Sequence, residues 1–428
     1  MSDRASKRLL LIAFHFPPLQ GSTGLHRSLA FARYLGRHGW EVTVLTVTEG
    51  AYPETSPDNH ALVPGDVPVV RALALDARRH LSIMGRYPAA LAVPDRWRSW
   101  IYPAVRAGRR VLRDWRPDAI FSTFPIPSAH EIALRLSESS GLPWIADFRD
   151  PMGQQGYPED ERLRRAYWNL ERRVMHRCSG VTVTAEGTAA LYRGRYPDFP
   201  ATRIRVIPNG FDEEAFAYLP ETATAARHRA GPVRFLHSGI LYPYERNPDW
   251  FFRALAELRA DGLLGPETAR FDLRGTAHDE RFGPQIAALG LGDMVRLLPA
   301  VPYRDALREM ADSDVLMLFQ AANCNLQIPA KLYEYLYVGR PVMGLTDPEG
   351  DTGKLLAGLG IESVAPLDDV GAIKRLILES VRQTREGTAF VPPRGSIMRF
   401  SRAGTTEQLA RFLDEVVAER KDLRSAAN

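Results

Sequence analysis

Along the first half of the chain, short unbroken runs of aliphatic and β-branched residues alternate with longer stretches in which apolar positions return every three or four residues. The runs "RLLLIAFHF", "EVTVLTV", "VPVVRALAL", "AIFSTF", "PWIADF", "GVTVTA" and "RIRVIP" predict seven strands with helices between them. Runs that are apolar throughout, rather than alternating, suit a parallel sheet covered on both faces. The segment "NGFDEEAFAYLPETATAARHRAGP" breaks this rhythm with turn residues and a polar, alanine-rich stretch, and so predicts a linker. A second series follows, "VRFLHSG", "FDLRG", "MVRLLP", "VLMLF", "PVMGL" and "ESVAP", and the chain closes on an amphipathic helix, "TTEQLARFLDEVVAER", with Thr405 or Thr406 as N-cap. The expected fold class is therefore α/β, with two Rossmann-like doubly wound domains facing a cleft. Residues 1–212 form the first domain, 213–231 the linker and 232–395 the second domain, while a helical segment at 396–428 can pack back on the first domain. In such sheets ligands bind at the C-terminal ends of the strands.

At 428 residues the chain is long enough for two domains of about 200 residues each. Its 45% hydrophobic and 25% charged residues are those of a globular protein with sizeable cores. Cys178 and Cys324 lie far apart with no partner spacing, so neither a disulfide framework nor a zinc site is indicated, and a reducing cytosol fits. The opening "MSDRASKRLLLIAFHFPP" reads as a first strand rather than a signal peptide, because its apolar stretch is short and runs into His15 and a Pro-Pro pair. No run approaches the roughly 18 apolar residues of a membrane span. The net charge of +4 is small but unevenly spread. Between Arg96 and Arg116 lie seven arginines and one aspartate, interleaved with Trp97, Trp100 and Trp115. That composition suits a peripheral contact with an anionic membrane surface, or else an ordinary solvated helix whose tryptophans fill the core. No recognition fold or stacking motif accompanies it, so nucleic acid is not an expected partner.

Chemistry concentrates in "IPAKLYEYLYVGRPV". Pro329 and Gly339 bracket a helix from about Pro329 to Val338. Leu332, Tyr335 and Leu336 fall at core spacing, and Lys331 and Glu334 lie on a neighbouring face. A lysine in a first helical turn is opposed by the helix dipole, and an anion held there reverses that penalty. Glu334 is placed to accept hydrogen bonds from a diol such as a ribose. Local chemistry leaves a solvated Lys-Glu pair equally open. In "FLHSGILYPYERNPDW", Ser238 and Gly239 allow close backbone approach, and Arg246 precedes a helix start, where its guanidinium can grip a phosphate. Arg246 and Lys331 would then converge on one anion at two helix N-termini. In "HFPPLQGSTGLHRSLAFARYL", Gly21, Ser22, Thr23 and Gly24 form a small-residue loop opening a helix, which is anion-friendly but also a common tight turn. After the fourth strand, Ser128 is a candidate helix cap and His130 lies near the helix start. After the fifth, Asp147, Arg149 and Asp150 are either functional or an ion network, with Asp150 favoured because a strand end exposes it. Asp312-Ser313-Asp314 mimics a metal-binding pair, but it precedes its strand and so reads as a helix-to-strand turn; no essential metal or other cofactor is expected.

"PAKLYEYLYVGRPV", together with "RVIPNGFD", resembles the C-terminal signature of GT-B glycosyltransferases, in particular retaining family four. The likeness extends over nearly the whole chain. It implies transfer of a sugar from a nucleotide-diphosphate sugar to an acceptor hydroxyl on a glycan, a lipid-linked or a small molecule, in the cytoplasm or at the inner face of a membrane. It implies donor contacts from Gly21, Ser22, Ser238, Gly239, Arg246, Gln327, Lys331 and Glu334, and acceptor contacts from Ser128, His130 and Asp150. Arg246, Lys331 and Asp150 are the implied catalytic groups. The chain departs from the family where an E-x(7)-E motif would set its first glutamate, since Leu326 stands there with Gln327 beside it. Two rival readings are a sugar-nucleotide epimerase of the same two-domain fold and a non-catalytic nucleotide-sugar-binding protein. A dehydrogenase lacks its dinucleotide fingerprint.

Overall fold

The computed structural model describes residues 6–20, 24–84, 86–217, 219 and 231–427. The chain divides into two compact units, Met1–Pro208 with Arg402–Asn428, and Asn209–Ser401. The first is built on seven strands: β1 (Lys7–Ala13), β2 (Trp40–Val47), β3 (Val69–Ala72), β4 (Ala119–Thr123), β5 (Trp144–Phe148), β6 (Gly180–Val183) and β7 (Ile204–Val206). They lie parallel in the order β3-β2-β1-β4-β5-β6-β7. Both faces are buried, which is why the strands read as continuous apolar runs. On β1, Leu10 and Ile12 enter one core and Leu9 and Leu11 the other.

The second unit carries β8 (Val233–Ser238), β9 (Ala269–Arg274), β10 (Val295–Leu298), β11 (Val315–Phe319), β12 (Val342–Leu345) and β13 (Val364–Ala365). Their order is β10-β9-β8-β11-β12-β13, again all parallel. Each sheet reverses its winding direction once, at β1/β4 and at β8/β11, and such reversals open a crevice at the strands' C-terminal ends.

The C-terminal helix, Arg402–Ala427, belongs to the first unit. It lays Leu409, Phe412, Leu413, Val416 and Val417 into the core that also holds Leu25 and Leu29. Asp414 on this helix accepts from the Lys7 ammonium at 2.5 Å and the Trp40 indole at 2.8 Å. Thr405 and Thr406 do not cap the helix as the sequence suggested. They sit inside its first turn and donate back to the Arg402 carbonyl, a bond Thr makes readily within a helix. Of the predicted linker, residues 218 and 220–230 lie outside the described residues. The preceding turn, Glu213–Phe216, is part of the second unit, because Phe216 is buried against Tyr337.

Candidate functional site

In the second unit the crevice is bounded by the end of β8 and by the segment that follows β11. The Ala330–Val338 helix begins there after Pro329, one residue later than the sequence suggested, and ends on Gly339 in a left-handed conformation with φ 75°. Leu332, Tyr333, Tyr335, Leu336, Tyr337 and Val338 are all buried, leaving Lys331 and Glu334 as its half-buried polar pair. The Lys331 ammonium reaches back to the end of β8, where its Nζ lies 3.2 Å from His237 Nε2. Gly239 makes this approach feasible. Its φ is 111°, and a Cβ added there would stand 2.9 Å from Lys331 Nζ. The turn is further set by the buried Tyr335 hydroxyl, which accepts the Ser238 N–H at 3.0 Å.

Arg246 lies close enough to press on the charge of Lys331. Burial, then the Arg246 guanidinium, pushes the Lys331 amine well below the usual lysine range, with Glu334 opposing them. Burial and the Lys331 charge likewise hold His237 well below its ordinary value. Two cations crowded at one strand end are an arrangement that a polyanion relieves. One expectation needs correction. Arg246 does not stand over a second helix N-terminus: its Nη1 donates to the Ile240 carbonyl at 3.3 Å and its guanidinium lies over the Tyr242 ring. The next helix, Asp249–Ala260, opens with its own carboxylate, and Asn247 Oδ1 accepts the Asp249 N–H. The anion-seeking groups are thus one helix start, Lys331 and Arg246.

Glu334 accepts the Tyr303 hydroxyl at 2.7 Å on Oε1. Gln327 is half-buried and its carbonyl accepts from Gln320 Nε2 and Thr352 Oγ1, so the loop backbone is firmly tied. Leu326 projects beside it, 38% exposed. Asn325 is committed to Asp347 at 2.5 Å. Asp314 accepts the Arg234 N–H in the turn before β11, as a helix-to-strand connection requires. Among the described residues no three His, Cys, Asp or Glu side chains gather as metal ligands.

The first unit departs further from the sequence reading. Gly21 and Ser22 lie outside the described residues. His130 is fully buried, with Nδ1 2.7 Å from Ser122 Oγ and its ring packed on Phe148 and Trp144. Burial lowers its pKa to about 3, so it is a neutral core residue and does not reach an acceptor. Ser128 is also fully buried and caps nothing: Ile126 precedes the Pro127–Ser140 helix, and Asp95 accepts the Ser128 N–H at 2.7 Å. Asp147 is the centre of a closed network. Arg27 binds it through two nitrogens at 3.1 and 2.8 Å, and the Thr123 and Thr182 hydroxyls each donate at 2.7 Å. Asp150 is half-buried beside Arg149, whose Nε donates to the Phe124 carbonyl at 2.6 Å. The Arg149 guanidinium occupies the space that a Cβ on Gly24 would need. It also helps burial hold His15 at a pKa of about 3.

Residues 24–210 match the model of the glycosyl transferase 4-like domain. Among solved structures, the chain resembles a sucrose-phosphate synthase from Thermosynechococcus elongatus at 14% identity, with a TM-score of 0.64 over 98% of this chain and 99% of that one. Anabaena HepE, in complex with UDP and glucose, is 15% identical with a TM-score of 0.63 over 96% and 100%. UDP-GlcNAc 2-epimerase from Neisseria meningitidis, bound to UDP-GlcNAc, is 12% identical with a TM-score of 0.57 over 96% and 100%. A search of curated proteins gives no significant match. The structural likenesses establish the two-sheet fold, which transferases and an epimerase share, and the domain match bears on the chemistry. Residues 24–210 thus carry the likeness to a glycosyl transferase 4-like domain, and the chain over its length has the two-sheet fold of the GT-B glycosyltransferases it resembles.

Proposed function

We propose that this enzyme moves a glycosyl group from a nucleotide-diphosphate sugar held by the second unit to an acceptor hydroxyl presented by the first, with retention of configuration and without a metal. The observation that carries this reading is the meeting of Lys331, Arg246 and the Gly239 backbone at the winding reversal of the second sheet. As the glycosidic bond breaks, negative charge grows on the diphosphate, and fixed cations in a half-buried site stabilise that charge more than water does. Glu334, one helical turn from Lys331, is available for the ribose diol through its remaining acceptor capacity. The departing phosphate can take the acceptor proton on the same face, so no protein nucleophile is needed. Asp150 remains the acceptor-side candidate, since Ser128 and His130 are buried. The expected outcome is that Lys331→Ala and Arg246→Ala each lower turnover about 100-fold while a thermal-shift response to the donor persists in weakened form. Near-normal turnover in both variants, or no shift of the native chain by any nucleotide sugar, refutes the reading.

The same enzyme is proposed to work at the cytoplasmic face of an anionic membrane. Trp97 and Trp100 are core residues, packed tilted and edge-on around Phe14, so they do not serve a lipid interface as their spacing suggested. The Ile101–Asp114 helix instead exposes Arg106, Arg109, Arg110 and Arg113 along a groove with Arg135. Tyr102 on this helix is 79% exposed. Among the described residues no helix is long and apolar enough to cross a membrane, so the contact is with the surface.

A further inference from the structure

His237, next to last in β8, is a fully buried imidazole edge-on to Phe319. A carbonyl faces each of its nitrogens: Met317 O lies 3.0 Å from Nδ1 and Gly239 O lies 3.1 Å from Nε2. An imidazolium would donate to both, but burial and the ammonium of Lys331 exclude that form. A neutral ring has one N–H to give. Placing it on Nε2 would satisfy Gly239 O but turn a bare Nδ1 lone pair towards Met317 O and leave the Lys331 ammonium facing a donor. Placing it on Nδ1 satisfies Met317 O and leaves the Nε2 lone pair to accept from Lys331 Nζ at 3.2 Å. The second arrangement leaves Gly239 O without the ring's N–H, but it gives the charged Lys331 donor its acceptor, and an unmet charged donor costs more than an unmet carbonyl.

We infer that His237 is a positioning residue for the donor site: as its Nδ1–H tautomer it accepts a hydrogen bond from Lys331 and fixes that ammonium over Gly239, where the departing diphosphate is stabilised. The inference rests on the donor reading above. A lysine carries four rotatable bonds, and a cation held in place before the reaction stabilises developing charge without reorganising. The other groups facing Lys331 do not hold it there. Arg246, from the loop after β8, repels it; Glu334, on its own helix, attracts it weakly and is engaged by Tyr303; Tyr335 is turned to Ser238. His237 accepts a stronger hydrogen bond from the ammonium than from the neutral amine, so its removal makes the charged form of Lys331 harder to keep.

The test is titration calorimetry of the full chain with UDP, GDP, ADP, CDP and dTDP, on the native protein, His237→Phe, His237→Gln, Lys331→Met and His237→Phe/Lys331→Met, repeated between pH 6 and 10. Binding of the preferred diphosphate should weaken as pH rises through the pKa of Lys331, because the ammonium is the binding form. In His237→Phe affinity falls about tenfold or more, and this alkaline limb moves to lower pH. In His237→Gln, whose amide oxygen can stand near the Nε2 position, the limb returns. The double variant binds no more weakly than Lys331→Met alone. A purely structural role for His237 would lower affinity without moving the limb and would add to the Lys331 effect, and either result overturns the inference. Should His237→Phe fail to fold, long-range proton–nitrogen correlation on the native imidazole decides: an Nδ1–H tautomer supports the inference and an Nε2–H tautomer sinks it. A native chain that binds none of the five diphosphates removes the donor reading, whatever the tautomer.

Discussion

Arg27 and Asp147 are 3% and 0% exposed, and each nitrogen-oxygen contact between them replaces water that neither can reach. Burial alone would raise the Asp147 carboxyl, but the charge and hydrogen bonds of Arg27, with the two threonines, hold it below the usual carboxylate range. A depressed carboxyl contributes stability above its unfolded pKa of about 4 that is lost as pH falls through its folded value. Arg27→Met reverses the sign, since a buried carboxyl without its cation is raised and its stability contribution fades as pH increases. Breaking such a pair costs about 3–5 kcal/mol near neutral pH. Denaturant unfolding of the native and Arg27→Met chains from pH 4 to 7 should therefore show a gap that widens with pH; a constant gap contradicts the account. The same strand end shows what single residues conceal. "DFRD" displays its three charged groups in sequence, but which of them faces inward depends on Arg27, 120 positions away. His130 misled for the same reason: a polar residue near a helix start looks accessible until Phe148 and Trp144 are known to pack on it. Lys331 was legible because its signal, a cation in a first helical turn, is local. His237 carried a local signal too, a histidine near the end of a buried strand, but its meaning needed the approach of Lys331 from 94 positions away.

Elements were easier to read than residues. Each of the thirteen strands falls on a run that predicted it, with β1, β2 and β9 beginning one or two residues earlier, because a parallel sheet covered on both faces tolerates few polar residues and needs no alternation. The division into units was less legible. Apolar periodicity marks the helix Arg402–Ala427, but nothing in its own sequence says which sheet it covers. Its packing on the first unit depends on a match of shapes: a Cβ on Gly180 of β6 would stand 2.6 Å from the Phe412 ring, so the strand is kept bare where the helix crosses it. Leu413 is fully buried in the same layer. Leu413→Ala should cost about 2–5 kcal/mol, the transfer loss plus a cavity that a packed helix-sheet layer cannot close. Six of the seven tryptophans, Trp40, Trp97, Trp100, Trp115, Trp144 and Trp168, are in the first unit and only Trp250 is in the second. The Leu413→Ala midpoint should accordingly fall when followed by tryptophan fluorescence. Leu318→Ala, in the second unit's core, should move that signal little while shifting the far-ultraviolet transition. Equal fluorescence shifts from both variants would show that the helix does not belong to the first unit alone.

For the whole molecule, a net charge of +4 is too small to draw it to any surface, so attraction must come from where the charges sit. The Ile101–Asp114 helix turns Ile101, Ala104, Val105 and Gly108 inward, which forces Arg106, Arg109, Arg110 and Arg113 to the outside. Arg113 is paired with Asp114, whereas Arg135 and Arg173 both serve Glu131 on and beside the neighbouring helix. Arg106, Arg109 and Arg110 are thus the cations best placed for an external anionic partner. Arg98, just before this helix, donates to the Ala90 carbonyl, in the loop that exposes Ile83 (81%) and Met84 (98%), apolar tips suited to shallow insertion among lipid headgroups. Each arginine near an anionic bilayer is worth about 1 kcal/mol, so replacing Arg106, Arg109 and Arg110 by alanine should weaken binding to phosphatidylglycerol vesicles about 100-fold. Salt should weaken the native interaction steeply, since at 0.1 M the screening length of about 10 Å is comparable to the separations involved. Exchanging Ile83 and Met84 for serine should instead lower binding at every salt concentration, because the term removed is apolar transfer rather than charge. Cosedimentation with vesicles of phosphatidylglycerol and of phosphatidylcholine separates the two contributions: equal binding to both lipids, or triple-alanine binding like the native chain's, rules out the arginine face as the docking surface.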